Sequence, residues 1–207
     1  MTNTWEILEV TSPTGVEPFF RGKLPKLWGV GDPTLLNHRL LGIISARQID
    51  SHLALKTSQL LRQLVSLKDV AFVSGWHSPL EKEALRILLA QEATIVLCAS
   101  KSLDRFVPSI GVESRVTDGK ALLLTHCSTK AKRITRNASI RRNELIVELA
   151  KALLVLSAPG GSASLNLAKS ALRRGKLVLT PAHPMNKQLL VNGALPATLD
   201  NLQTALR

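Results

Sequence analysis

Short apolar runs alternate along this chain with segments whose leucines recur at helical spacing, and this alternation strongly limits the folds available to it. The runs are predicted to be buried strands, and they cover residues 40–45, 70–74, 93–98, 120–125, 152–157 and 176–180. Strands that alternate with helices are typical of a parallel sheet covered by helices. We therefore expect an α/β fold of three layers, in which a mostly parallel sheet of about six or more strands is flanked by helices.

The clearest helix start is the segment Ser78-Pro79-Leu80-Glu81. Serine at the N-cap, proline at the first helical position and glutamate at the third predict a capping box, in which the two end residues bind each other's free backbone N–H groups. Asp50 is predicted to cap an earlier helix, whose buried face carries Leu53, Leu60, Leu64 and Leu67. Later helices are predicted over residues 144–149 and 164–174.

The length of 207 residues is enough for one α/β domain with a full core. The sequence contains neither an internal repeat nor a low-complexity linker, so we expect a single domain over residues 1–207. Residues 1–24 are predicted to be a loosely packed lead, and residues 25–183 the core of sheet and helices. Residues 184–207 are predicted to be a C-terminal tail with one or two short helices.

Several classes of protein are disfavoured by the sequence. The first ten residues carry acids and no apolar run, unlike a secretory signal. The longest uncharged stretch, residues 152–168, is interrupted by Pro159-Gly160-Gly161 and is a poor membrane span. Cys98 and Cys127 make neither a zinc site nor a disulfide framework, and the five histidines are scattered. We expect a cytoplasmic protein without a membrane partner, a metal or a cofactor.

The charge of the chain is strongly positive and unevenly distributed. There are 27 Lys+Arg against 15 Asp+Glu, which gives a formal net charge of +12. Residues 1–118 carry 13 basic and 12 acidic side chains, whereas residues 119–207 carry 14 basic and 3 acidic ones, so the net charges are +1 and +11. Clustered positive charge favours a polyanionic partner, and surface lysines that serve only solubility are the alternative.

Four loops follow predicted strands at their C-terminal ends, where open parallel sheets bind ligands. They start with Ser45-Ala46-Arg47, Ser74-Gly75-Trp76-His77, Thr125-His126 and Ser157-Ala158-Pro159-Gly160-Gly161-Ser162. Glycines and hydroxyl residues directly before a helix let backbone N–H groups approach an anion, although an ordinary turn is the alternative. The sequence has no Walker A loop and no G-x-G-x-x-G, which disfavours ATP hydrolysis and NAD chemistry.

A basic stretch precedes the glycine-rich loop and contains no acid between residues 128 and 143. Its members are Lys130, Lys132, Arg133, Arg136, Arg141 and Arg142. At the mouth of the sheet these side chains would form a groove for a phosphate backbone. A solvated charged face is the alternative interpretation, and it is weakened because no carboxylates balance these charges.

The order of the motifs resembles the DNA-processing protein A family, also called Smf, over roughly residues 24–196. The similar segments are Leu24-Pro25 to Leu27-Trp28 with Gly31-Asp32, Ile43-Ile44-Ser45-Ala46-Arg47, Ser74-Gly75 with Glu81, Arg142-Asn143-Glu144-Leu145-Ile146, Leu154 to Ser164, and Asn192-Gly193-Ala194-Leu195-Pro196. Departures from the family pattern are Ser45 for a loop glycine, Ser78 for an arginine and Glu144 for the second arginine of "R-N-R". The length predicts a minimal member that consists of the Rossmann-like domain only.

The resemblance implies a Rossmann-like core that binds single-stranded DNA, forms a homodimer and hands DNA to the RecA recombinase during uptake or recombination. The residues carried over from the family's motifs are Ser45, Arg47, Ser74, Gly75, Arg142, Asn143, Gly161, Ser162 and Ser164. Together with the basic stretch, Gly160, His77 and Trp76 complete the predicted phosphate- and nucleic-acid-binding set. Trp76 can either stack on a base or pack in the core.

Other functions stay open at this point. Pro159-Gly160-Gly161 also resembles the start of a loop in related enzymes that cleave nucleoside monophosphates, but Asn166 and Leu167 occupy the positions where their acid is expected. No catalytic residue is therefore predicted. A sensor that binds a small nucleotide in the same pocket is an alternative. RNA is another, because no residue reveals recognition of the 2′-hydroxyl.

Overall fold

In a computed structural model, nine strands form one sheet with helices on both of its faces. The structure describes residues 5–11, 26–67, 69–104, 106–109 and 111–207. The strands are β1 Leu8–Val10, β2 Leu27–Gly31, β3 Arg39–Ser45, β4 Val70–Ser74, β5 Thr94–Ala99, β6 Ala121–Thr125, β7 Ala152–Ser157, β8 Leu177–Thr180 and β9 Leu195–Pro196. The helices are α1 Ser51–Leu64, α2 Pro79–Ala90, α3 Val112–Thr117, α4 Arg136–Leu149, α5 Ala163–Arg173, α6 Lys187–Val191 and α7 Leu199–Leu206.

The strand order of the sheet is β1-β2-β6-β5-β4-β3-β7-β8-β9. The seven strands from β6 to β9 in this order are parallel, and β2 and β1 add an antiparallel edge next to β6. From β3 the chain proceeds outward through β4, β5 and β6 on one side, and β7, β8 and β9 follow on the other side. The direction of winding therefore reverses between β3 and β7, and such a switch point leaves a crevice at the carboxyl ends of the strands.

Two hydrophobic layers hold the helices against the sheet. On one face, Leu41 and Phe72 of the sheet pack with residues of α1, α2, α3 and α7, such as Leu53 and Leu88. On the other face, strand residues pack with α4, α5 and α6. Strands β4, β6 and β7 are buried along their whole length, as expected for central strands covered on both faces. The predicted three-layer α/β fold is confirmed.

The predicted strands and helix caps agree with the structure. The capping box at Ser78 and Glu81 is formed, and Asp50 accepts the backbone N–H of Leu53 at the start of α1. Helix α4 begins at Arg136 rather than at Glu144, because the side chain of Thr135 caps it. Leu67, predicted on the buried face of α1, lies after the end of that helix and is only half-buried.

Several short elements lack a signal in the sequence pattern. Helix α3 and the two-residue strand β9 are too short to show a period. Part of the predicted lead, Leu8–Val10, forms an edge strand paired antiparallel with β2, and Val10 is buried. The predicted start of the core at Leu24-Pro25 lies outside the described residues.

Candidate functional site

A cleft of about 720 Å³ opens at the switch point of the sheet. It is formed by the loops that follow β3, β4, β5 and β7, together with the first half of α4. Its main lining residues are Ser45, Ala46, Arg47, Gln48, His77, Ser78, Glu81, Ser100, Ile134, Arg136, Ser139, Ile140, Arg142, Asn143 and the turn 159–164. The topology thus brings together segments that are up to about 120 residues apart in sequence.

Three helices begin at this cleft. Ser78 caps α2, Thr135 caps α4 and Ser162 caps α5, each through its side-chain oxygen. A helix N-terminus carries a partial positive charge and free backbone N–H groups, so it attracts anions. Because the three N-termini converge on one opening, the fixed dipoles of the backbone favour a negatively charged ligand there.

Arg142 is the most unusual side chain of the cleft. It is only 6% exposed, and its Nε and Nη1 atoms have no hydrogen-bond partner within the described part of the chain. Burial lowers the pKa of this guanidinium, and the nearby Glu81 carboxylate and Cys98 act in the opposite direction. An unpaired buried cation is costly to keep, so an anion or an ordered water that accepts from these N–H donors would stabilise it.

The loop after β4 leaves space for this guanidinium. Gly75 lies directly against Arg142, and a Cβ atom at position 75 would overlap the guanidinium group. Ser74 and Gly75 are both buried, and the Ser74 hydroxyl accepts the backbone N–H of Trp76. These two predicted site residues therefore support Arg142 from behind and do not line the cleft.

Trp76 is buried in the core and does not line the cleft. Its side chain is 3% exposed and belongs to the hydrophobic layer that contains Phe72 and Leu80. The backbone of Trp76 has a φ of 54°, which turns the chain between β4 and α2 and directs the indole into the core. Of the two roles that the sequence leaves open for Trp76, burial favours packing in the core over stacking on a base.

Glu81 connects two loops of the cleft and was not predicted as a site residue. One carboxylate oxygen accepts the backbone N–H of Ser45 at 2.9 Å, and the other accepts those of His77 at 2.8 Å and Ser78 at 3.1 Å. The capping-box pattern indicated only the bond to Ser78. The two further bonds fix the loop after β3 next to the loop after β4, so Glu81 shapes the cleft.

The glycine-rich turn after β7 is braced by a buried asparagine. Asn186 accepts the backbone N–H of Ala158 at 2.9 Å and donates to the carbonyl oxygens of Leu156 and Pro181. Gly161 has a φ of +76°, a left-handed conformation that favours glycine. No local pattern predicts this role of Asn186, because Leu156 and Ala158 lie 30 and 28 residues away along the chain.

The hydroxyl groups of this turn are also held in place. Ser164 donates to the carbonyl oxygen of Ser157 at 3.0 Å, and its oxygen lies 3.1 Å from that of Ser162. Ser162 in turn caps α5 by accepting the backbone N–H of Leu165. The predicted hydroxyls are therefore close together at the cleft, with their positions set by the backbone.

His77 lines the cleft as a neutral side chain. Desolvation and, to a smaller extent, the positive charges of Arg142, Lys82 and Arg47 together lower its pKa to about 4. Near pH 7 the imidazole therefore donates or accepts a hydrogen bond and adds no positive charge. His126, the other predicted loop histidine, has a pKa lowered to about 4 by burial and by Arg141 and Arg142.

The predicted site residues separate into three groups. Those that the structure brings together in the cleft are Ser45, Arg47, His77, Arg136, Arg142, Asn143, Gly160, Gly161, Ser162 and Ser164. Those that lie behind it are Ser74, Gly75 and Trp76. Lys130, Lys132, Arg133 and Arg141 do not line the cleft and are exposed on the surface around the start of α4.

These features define the class of protein to which the chain belongs: a Rossmann-like α/β protein whose switch-point cleft has the character of an anion site. The family model for DNA recombination-mediator protein A matches residues 20–197. The chain is therefore a member of that family, and the resemblance stated from the sequence motifs is confirmed.

Solved structures support the same fold. DNA processing protein A from Streptococcus pneumoniae has a TM-score of 0.77 at 17% identity, covering 98% of this chain and 75% of its own. DNA processing protein A from Helicobacter pylori, whose structure is described with its single-stranded DNA binding mode, has a TM-score of 0.72 at 20% identity, covering 100% and 91%. The molybdenum cofactor binding protein of Rippkaea orientalis has a TM-score of 0.56 at 14% identity, covering 81% and 94%. None of the curated proteins matches the chain.

The described residues contain neither a membrane-spanning helix nor a metal-binding cluster. Among the helices in the described ranges, none combines the length and the apolar character needed to cross a membrane. The described side chains also contain no group of three or more His, Cys, Asp or Glu residues that could hold a metal ion.

Proposed function

We propose that this protein binds single-stranded DNA in the switch-point cleft, mainly through the phosphate backbone. The observation that carries the proposal is the unpartnered guanidinium of Arg142, which lies at the cleft with Arg47 and Arg136. Arginine N–H groups form charge-assisted hydrogen bonds with phosphate oxygens. The carboxylate that lines the cleft, Glu81, has both oxygens occupied by backbone N–H groups and does not consume these donors.

The exposed basic side chains outside the cleft extend the proposed binding surface. Lys130, Lys132 and Arg133 precede α4, and Arg141 lies on it, while Arg136 of the same region lines the cleft. A strand whose backbone leaves the cleft at this side would contact several of them. Contacts of this kind raise affinity for any nucleic-acid sequence and make binding sensitive to salt.

The apolar part of the cleft suits unpaired bases. Ile134 and Ile140 line it and are both exposed, although they are large hydrophobic side chains. Aliphatic contacts of this type do not discriminate between bases, because they form no hydrogen bonds with the base edges. With Trp76 buried, an aromatic platform is not part of the proposed site, and we expect weak sequence specificity.

The proposed role is DNA processing during uptake or recombination in the cytoplasm, without catalysis by this chain. Transfer of the bound strand to RecA is part of the proposal, and membership of a family described as recombination mediators supports it. A hydrolase reaction at the glycine turn needs a carboxylate there. Asn166 and Leu167 occupy the corresponding positions, and Glu81 is held by three backbone hydrogen bonds, which supports a binding function.

A competition experiment separates this function from a nucleotide sensor. A labelled thymidine oligonucleotide is titrated with the protein and followed by fluorescence anisotropy, with the matching duplex and free dTMP as competitors. We expect unlabelled single strand to displace the probe at far lower nucleotide concentration than duplex or dTMP does. Tight binding of dTMP together with no binding of the strand would contradict the proposal and support the sensor.

We propose that the protein forms a homodimer and that the two copies meet at the β9 edge of the sheet. Val191, at the end of α6, is 79% exposed, and Leu177 and Leu195 on the adjacent strands β8 and β9 are exposed as well. An exposed sheet edge beside apolar side chains favours association with another copy.

The dimer is tested by light scattering coupled to size-exclusion chromatography. We expect the wild type to elute as a dimer and the variant Val191→Asp/Leu195→Asp as a monomer, because buried carboxylates would lie in the contact. Val107→Asp is the matched control, since Val107 is also highly exposed but lies far from this edge in the fold, after β5. A monomeric wild type, or dissociation by Val107→Asp alone, would refute this contact.

A further inference from the structure

Two polar side chains at the inner end of the cleft are almost fully buried and lack partners. Ser100 is 2% exposed, and its hydroxyl has no hydrogen-bond partner in the described part of the chain. Arg142 is 6% exposed, with Nε and Nη1 unpartnered. Both line the same cleft as the exposed Arg47 and Arg136. The cleft therefore has an open outer part and a buried polar inner end.

The strand register explains why these groups meet on one face of the sheet. Cys98 of β5 packs in the layer under α4, and Ser100 follows directly after the end of this strand and lines the cleft together with Arg142 of α4. Arg142 approaches this face too, since it lies against Gly75 at the end of β4 and acts on the pKa of Cys98. Strands β4 and β5 are hydrogen-bonded neighbours.

A third group lies beside them. Ala99 pairs with Thr125, so His126 follows β6 next to Ser100, and the Nδ1 atom of His126 is buried without a partner. His126 does not line the cleft, and it is neutral near pH 7 because burial and the charges of Arg141 and Arg142 lower its pKa. Its ring nitrogen can therefore orient or extend a hydrogen-bond network at the inner end without adding charge.

The donors at the inner end select the chemistry of the ligand. Guanidinium N–H groups only donate, and a serine hydroxyl donates when its neighbour accepts, so the ligand supplies several acceptor oxygens. A phosphate monoester has three terminal oxygens and carries up to two negative charges. A phosphodiester inside a strand has only two free oxygens, and the nucleotide chain continues on both sides of it. Such a group suits the open outer part of the cleft rather than a buried end.

We propose that the inner end of the cleft binds the terminal phosphate monoester of a single strand, held by Arg142 and Ser100. The inference rests on the proposed function, because Arg47 and Arg136 are assigned to the internal phosphates that follow. Glu81 offsets part of the Arg142 charge, and its oxygens stay bound to Ser45, His77 and Ser78. The three helix N-termini and the outer arginines supply the remaining positive potential.

The test compares thymidine oligonucleotides that differ only in their ends: 5′-phosphate, 3′-phosphate or hydroxyl at both, with the dye attached away from the phosphorylated end. We expect one phosphorylated strand to bind about tenfold more tightly than the hydroxyl-ended strand, since a hydrogen bond to a charged group typically contributes at least that much. Which end is preferred identifies the polarity of the bound strand.

The informative variant is Ser100→Ala. It removes a buried hydroxyl that has no partner, so the melting temperature should not fall, while the ratio of affinities for phosphorylated and hydroxyl-ended strands should approach one. Ser66→Ala is the control: Ser66 is exposed near the end of α1, at the opposite end of the strands, and the ratio should keep its wild-type value.

Equal wild-type affinity for all three strands would overturn this inference and leave single-strand binding standing. A preference that survives Ser100→Ala would overturn it as well. Absence of binding to any strand would refute the proposed function itself, which makes the two failures distinguishable.

Discussion

Replacing Arg142 by methionine should weaken the binding of single-stranded DNA by about 100-fold. Arg142 lines the cleft, and two N–H-bearing nitrogens of its guanidinium are buried without a partner in the described part of the chain; hydrogen bonds to charged groups contribute about 1.5–3 kcal/mol each. Methionine fills a similar volume without the charge, and an apolar replacement of a buried, unpaired ion is often neutral or stabilising. The loss of affinity is therefore expected in a protein that stays folded, as measured by anisotropy and thermal melting.

The neighbouring arginine provides the matched control for this variant. Arg141→Met removes the same charge from the same helix, but Arg141 is exposed and does not line the cleft. We expect a loss of affinity of only a few-fold, since exposed contacts to phosphate are screened by solvent and salt. Equal losses in Arg141→Met and Arg142→Met would show that the cleft is not the centre of binding.

Gly75→Ala should lower both stability and DNA affinity. The added Cβ would overlap the Arg142 guanidinium, so the arginine or the loop must move within a packed region. Overpacking of this kind costs about 1–3 kcal/mol, which denaturant unfolding can measure. Affinity for single strands should fall with it, because the guanidinium is displaced from its position in the cleft.

A double-mutant cycle tests whether the clash with Arg142 is the cause. In an Arg142→Ala background the space is free, and most of the cost of Gly75→Ala should disappear. Gly160→Ala is a second control, because its Cβ would meet only the flexible end of Gln188 at 3.3 Å. If Gly75→Ala costs the same in both backgrounds, the loop and not the arginine requires the glycine.

The main elements of the fold could be predicted because their signals are local. Buried strands appear as apolar runs, and the caps at Asp50 and Ser78 depend on residues three positions apart. Helix α4 was predicted too short because its first turns are basic and show no apolar period, and its start depends on the cap at Thr135. The edge strands β1 and β9 have two or three residues, too few for any pattern.

The loops of the site could be predicted from strand ends, but the roles of single residues could not. Arg141 and Arg142 are adjacent in an undivided basic run, yet successive residues on a helix point about 100° apart, so one faces solvent and the other the sheet. Ser100, Glu81 and Asn186 gain their roles from contacts between distant segments. Such contacts are fixed by strand order, which the sequence pattern does not reveal.

The central claim is that the cleft and the surrounding basic side chains bind the backbone of a single strand. Its most direct test is the affinity of the protein for a thymidine oligonucleotide across a salt series. With about six phosphates neutralised, and about −0.7 per contact on single strands, the log–log plot should have a slope of roughly −4. Arg142→Met should give a shallower slope. No binding at low salt, or an affinity that does not change with salt, would contradict the account.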